Sequence, residues 1–223
     1  MKKIFILLLI LPFLIAGCRK DPAKRGDTDT GKGELANYSG YFIQGMMKDV
    51  IVTDGGREKP FIMLLKDNHK AVLVNVNGET SLSYSVQDGR IVLDDNGYFN
   101  VKNGQITDWL IAGFNFTKAT LHAKVETNQL KGKKFGGSQF YVKLGASIYS
   151  EIKFETSGDL LSNPRADDPN KTYGYNSYAN VAGFRHSNEY DTNDFFVIED
   201  GKLQIAGYSA FNGLSVGSMD QIP

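Results

Sequence analysis

The chain is poor in the residues that mark covalent and metal chemistry. Its 223 residues include one cysteine, one tryptophan and three histidines. A single thiol excludes an internal disulfide framework, so the core must hold by packing, which a chain of this size can do. His69, His122 and His186 lie far apart, and no HExxH spacing joins any of them. There is no G-x-S-x-G nucleophile elbow, and the glycine-rich stretch 132–137 lacks both the phosphate-loop lysine pattern and a following helix. Charge of one sign is missing too: 25 Lys and Arg face 25 Asp and Glu, leaving no excess to recruit nucleic acid. After residue 18 no segment carries an apolar stripe at a period of 3.6, which argues against a helical architecture. These absences predict a protein that is not an enzyme and uses no cofactor.

One long apolar run is present, at residues 4–15, broken only by Pro12 and preceded by Lys2 and Lys3. Twelve or so residues fall short of the roughly twenty that a membrane-spanning helix needs. A cationic start, a short apolar core and small residues before a cut site describe an export signal. Ile15-Ala16-Gly17-Cys18 resembles the lipobox of bacterial lipoproteins. The resemblance implies that residues 1–17 are removed and that Cys18 carries the lipid. Several acyl chains on one residue make a durable anchor where a single chain gives only marginal binding. It also implies a bacterial envelope location, most simply the outer membrane, on its periplasmic face or at the cell surface. Residues 18–36 are almost free of apolar side chains and read as a flexible tether, holding the domain on the order of 25 Å from the lipid.

What the chain has in abundance is β chemistry: 14 Phe, 11 Tyr and 24 Gly. From Tyr38 onward the pattern has period two, punctuated by Asp88-Gly89, Asn103-Gly104 and Asp200-Gly201, the dipeptides that most strongly signal hairpins. Leu82, Tyr84 and Val86 predict one half-buried strand. Residues 61–65 and 71–76 form continuous apolar runs. Phe140, Val142 and Leu144 alternate, as do Ile148, Ile152 and Phe154. The expected fold is all-β, an antiparallel barrel or sandwich of many short strands over residues 37–210, with 211–223 an irregular tail. Two halves, 37–118 and 126–210, look alike. Residues 38–45 have a counterpart in 130–137, and 99–106 one in 195–203, at offsets near ninety to ninety-seven. Duplication, tandem small sheets and chance similarity of turn-rich strands all fit that spacing.

Candidate sites cluster late in the chain. Residues 162–178 read as one long polar loop, in which Pro164 and Pro169 forbid a central strand, and loops of that length are often functional. Tyr173, Tyr175, Tyr178, Phe184 and Tyr190 stand in or just after it among Asn170, Asn176, Asn180 and Asn188. Rigid aromatic faces beside amides suit sugar rings or small apolar ligands, and they also suit ordinary packing. His186 with Glu189 and Asp191, and His122 with Glu126, are the densest proton-transfer candidates. No metal site is expected. Asp167, Asp168, Asp191 and Asp194 come nearest to one, for Ca²⁺, without the spacing of a Ca²⁺ loop.

The Gly-aromatic starts and Gly-ended hairpins resemble the small barrels of the lipocalin-like group, more faintly those of surface lipoprotein receptors. The lipocalin G-x-W falls at Gly40-Tyr41-Phe42, with Phe in place of Trp. That resemblance is one of architecture and does not fix function. Taken with the lipobox and the late aromatic cluster, the first expectation is a lipid-anchored protein that captures a small or saccharide ligand in a β-barrel or at its loop end. The alternative is a structural or protein-interaction lipoprotein of the envelope without a small-molecule ligand, and an envelope hydrolase ranks behind both. An apolar or aromatic-lined cavity separates the first from the second.

Overall fold

A computed structural model describes residues 37–48, 56–94, 97–164, 166–188 and 191–223. The expected signal, Cys18 and tether therefore lie outside the described residues, as do Glu189 and Tyr190. The protein is all-β and antiparallel. The first half runs β1 (Tyr41–Lys48), β2 (Lys59–Lys66), β3 (Lys70–Asn75), β4 (Gly78–Ser83), β5 (Ser85–Gln87), β6 (Arg90–Leu93), β7 (Gly97–Lys102), β8 (Gln105–Ile111) and β9 (Asn115–Ala123). The second runs β10 (Lys134–Tyr141), β11 (Ala146–Phe154), β12 (Leu160–Ser162), β13 (Thr172–Gly174), β14 (Asn176–Tyr178), β15 (Ala182–Ser187), β16 (Thr192–Glu199), β17 (Lys202–Ser209) and β18 (Gly213–Ile222).

The two halves share one strand order. In the second, β14-β15-β16-β17-β18-β10-β11-β12-β13 form a continuous sheet that curls into a nearly closed barrel. In the first, β5-β6-β7-β8 and β9-β1-β2-β3-β4 follow the same order, but β8 and β9 do not pair, so there are two sheets. Both halves break between the fourth and fifth strands at one buried tyrosine, Tyr84 or Tyr175. The Tyr84 amide donates to His69 O at 2.8 Å, and the Tyr175 amide to Asp159 O at 3.0 Å. Each acceptor is the residue just before the third strand of its half. The sequence counterparts fall on matching elements: 38–45 and 130–137 lead into the first strands, 99–106 and 195–203 make the seventh-to-eighth hairpins. Asn103-Gly104 and Asp200-Gly201 turn those hairpins with positive φ at both residues, as a two-residue connection requires.

Three cores follow from the side-chain alternation. Ile43, Phe61, Met63, Leu73, Phe99 and Phe116 fill the interior of the first half. Phe135, Ile152, Phe154, Phe196, Leu203 and Ile205 occupy the interior of the second. Between them, Ile62, Leu64, Val72 and Val74 on the outer face of the first half meet Phe195, Val197 and Ala206 on the outer face of the second. Strands β2 and β3 are thus covered on both faces, which explains their unbroken apolar runs. Polar ties cross the same seam: Gln44 Nε2 donates to Ile198 O at 2.9 Å, Lys118 pairs with Glu199 at 2.9 Å, and the Tyr178 hydroxyl donates to Glu79.

Three expectations need correction. Residues 211–223 are not an irregular tail: β18 is the longest strand among the described residues and pairs with both β10 and β17. Its period was hidden because small residues alternate on both faces, with Leu214 in the seam and Met219 in the barrel. The stretch 162–178 is not one loop, since β13 and β14 form the two edges of the barrel sheet and the two prolines fall in the shorter connection before them. Leu82, Tyr84 and Val86 do not share a strand, because the chain changes sheets at Tyr84. The halves accordingly end at 123 and 222, not at 118 and 210.

Candidate functional site

Each strand of the second barrel presents every other side chain inward, and along several of them the inward series changes character midway. On β16 it runs Phe196, then Asp194 and Thr192; on β17, Leu203 and Ile205, then Gly207 and Ser209. On β10 it passes from Phe135 to Gln139 and Tyr141, and on β11 from Phe154 and Ile152 to Ser150. The barrel is apolar at one end and polar at the other. The polar end opens to the surface in two adjoining lobes of about 190 and 170 Å³ that share Gln139, Tyr141, Arg185 and Asp194.

Arg185 and Asp194 face each other across β15 and β16. Arg185 Nε and Nη2 lie 2.8 and 2.5 Å from Asp194 Oδ2. Protein surrounds the carboxylate, yet 26% of its side-chain surface still faces the opening. Burial raises its pKa, and the guanidinium opposes that rise without cancelling it. Tyr141 is pushed up by burial and then by the Asp194 charge, so its phenol stays protonated and able to donate. The Arg185 guanidinium lies 4.7 Å from the centre of the Tyr173 ring. Gln139 Nε2 donates to Ser150 Oγ at 3.0 Å. The Thr192 hydroxyl is buried and has no hydrogen-bond partner among the described residues.

Gly207 lines the first lobe without a side chain. A Cβ at this position would lie 2.7 Å from Ser215 Oγ and 2.9 Å from Asp194 Oδ1. The same geometry shows that Oδ1, the oxygen not engaged by Arg185, points toward Gly207 and the lobe. The arrangement offers acceptor, donor and hydroxyl groups in a recess whose described lining carries one cation, Arg185, and one anion, Asp194.

Of the sequence candidates, Tyr173 lines the recess. Tyr175 does not, because it packs edge-to-face on Phe154 and Phe196 at ring distances of 5.6 and 5.3 Å in the apolar end. Tyr178 and Phe184 turn outward into the seam between the halves. Asp194 is there, but as the partner of Arg185, while Asp191 sits in the preceding turn with φ 45°. Asp167 and Asp168 remain in the connection before β13, where Asp168 Oδ1 accepts from the Asn170 amide at 3.2 Å. His186 is exposed and held between Asn193 Oδ1 at 2.7 Å and Asn188 Oδ1 at 2.6 Å, contacts that raise its pKa. His122 stacks on Phe42 at 5.3 Å, away from the recess. Arg185, Tyr141, Gln139 and Gly207 escaped the sequence reading. Their signal was the mid-strand switch from apolar to polar at every second residue.

Fold and recess together define an all-β barrel protein with a polar interior site. No protein-family model, no curated protein and no solved structure matches the chain.

Proposed function

We propose that this is a lipid-anchored envelope protein whose second barrel captures a small polar ligand, of sugar or polyol type, through Arg185, Asp194 and the hydroxyl and amide groups around them. The observation that carries the reading is the polar half of an otherwise apolar barrel interior. Buried polar groups cost free energy unless they are satisfied, and a filled barrel has no use for them. The charge-neutral pair, Tyr141, Gln139 and Thr192 supply donors and acceptors in the mixture that hydroxyl groups need. Anchoring through Cys18, after removal of residues 1–17, would hold the barrel at the membrane, most simply the outer one.

Isothermal titration of the soluble domain with methyl glycosides of neutral hexoses tests the binding. Saturable heat from at least one of them, lost in Gly207→Val, is expected. Silence across the series overturns the reading in favour of a structural or protein-interaction role. For the anchor, Cys18→Ser is expected to abolish labelling by radioactive palmitate and release the protein from membranes. A variant that stays membrane-bound would refute the lipid attachment.

A further inference from the structure

The polar recess has an apolar lip. The turn between β10 and β11 carries Leu144, 53% exposed, and the turn between β17 and β18 carries Phe211, 87% exposed. Strands β10 and β18 are neighbours, with Tyr141 opposite Ser215, so the two turns lie side by side. Lys143 ties them: its ammonium donates to Ala210 O at 3.0 Å and Phe211 O at 3.4 Å. Ile148 continues the inward series of Ser150 and Ile152 outward to the rim and remains exposed. Tyr208 borders the first lobe and is exposed as well. Single exposed apolar residues are ordinary, but several gathered on one rim mark a contact surface.

The size of the recess says how lip and cavity work together. A lobe of about 190 Å³ holds the volume of roughly six waters at ~30 Å³ each. That is room for one small ring, with a second lobe of about 170 Å³ beside it, so a chain too long for both leaves through the opening and meets the lip. Because Arg185 and Asp194 neutralise each other and the remaining polar groups are hydroxyls and amides, the seat favours an uncharged hydroxylated head. Resting on the function proposed above, we infer that the ligand is an amphiphile. One neutral sugar or polyol ring sits at Arg185 and Asp194, and an apolar chain lies across Leu144, Ile148 and Phe211.

The test compares matched probes, methyl and n-octyl β-D-glucopyranoside and the corresponding galactopyranosides, below their micellar concentrations. The octyl compound of at least one sugar is expected to bind the soluble domain about tenfold or more tightly than its methyl counterpart, a gain that burial of about two methylenes supplies. The double variant Leu144→Ser/Phe211→Ser should reduce octyl binding to the methyl level, and Gly207→Val should abolish both. Equal binding of methyl and octyl probes, lost in Gly207→Val, overturns the amphiphile and leaves the polar-ligand reading standing. Octyl binding that survives Gly207→Val is adsorption to the lip and overturns the amphiphile, and it overturns the polar-ligand reading too where no methyl probe binds the wild type. Circular dichroism and the unfolding midpoint of each variant establish that it is folded, and Gly207→Ala, which adds a single methyl group, replaces Gly207→Val should that variant not fold.

Discussion

The two halves of the protein trace the same nine-strand path and fill it differently. Inside the first, Ile43, Met63, Leu73, Phe99 and Phe116 meet side chain to side chain. Inside the second, packing of that kind stops at Phe196, Ile152 and Ile205, and beyond them Gln139, Arg185 and Asp194 surround open space. The contrast separates what the topology requires from what it permits. Closing a sheet needs an apolar layer on its inner face, and one such layer suffices. The remaining inward positions are then free for polar groups, at a cost in stability that a binding site can justify. The first half supplies the support: its outer face covers the second barrel through Ile62, Leu64, Val72 and Val74.

The sharpest break of this contrast is a pair of truncations. Phe99 and Phe196 are both fully buried, on equivalent hairpin strands. Removing a phenylalanine from a packed core costs about 3–5 kcal/mol. Phe99→Ala is expected near the upper end, because its neighbours are packed on every side. Phe196→Ala is expected near the lower end, because Phe196 already borders the recess and water can enter. Urea denaturation of the two variants measures the difference, and an equal or reversed order would contradict it.

Exchanging polarity comes next. Met63→Gln places an amide in the filled interior without partners and should cost roughly 2–3 kcal/mol. Gln139→Met makes the opposite change in the recess, where water can replace its hydrogen bonds to Ser150 and Ser215, and should cost about 0.5–1.5 kcal/mol, while weakening glycoside binding. If both changes were equally damaging, the second interior would be as tightly specified as the first.

Smaller effects are expected at the seam. Tyr178→Phe removes the hydroxyl that donates to Glu79, whose carboxylate is exposed, and should cost about 1 kcal/mol. Burial and the Glu79 carboxylate both raise the Tyr178 pKa, so the bond persists through the neutral range. The Tyr178→Phe penalty measured by urea titration should therefore be the same at pH 7 and pH 9. A penalty that vanished by pH 9 would place the phenol in a far more open setting.

The smallest is a pH dependence. The Asp194 pKa is raised on folding, so its contribution is fully present below the unfolded value near 3.9 and is lost as pH rises through the folded value. The Asp194→Asn variant lacks this slope. Wild-type stability relative to Asp194→Asn should therefore fall between acid and neutral pH, as melting temperatures in parallel buffers would show. A rise over that interval would mean that Arg185 outweighs burial.

Strand type, turn chemistry and the pairing of halves were legible in the sequence because they rest on local signals: period two, Asn-Gly and Asp-Gly turns, and matched hairpins. The site was not, and β10 shows why. The apolar alternation of Phe140 and, one residue past its end, Val142 looks like the core face, yet those side chains point out of the barrel. Val142 enters the seam, and Phe140 lies under Arg57 with the guanidinium 3.8 Å from the ring centre. The polar face, Gln139 and Tyr141, is the one that points inside. A strand covered on both sides cannot declare from its own sequence which face meets which neighbour. Tyrosines 175 and 178 misled for a related reason, since aromatic density marks packing as readily as binding. Ile148, Ile152 and Phe154 were placed on one face correctly, and Ser150 between them was the overlooked hint.

The most direct measurement is a crystal structure at a resolution that shows ordered water. If the second interior is a built polar site, water should occupy both lobes, hydrogen-bonded to Asp194 Oδ1 and the Thr192 hydroxyl, while the interior enclosed by Phe61, Phe99 and Phe116 stays dry. A dry, collapsed recess with Arg185 and Asp194 turned out to bulk solvent, or water equally distributed between the two interiors, would contradict it.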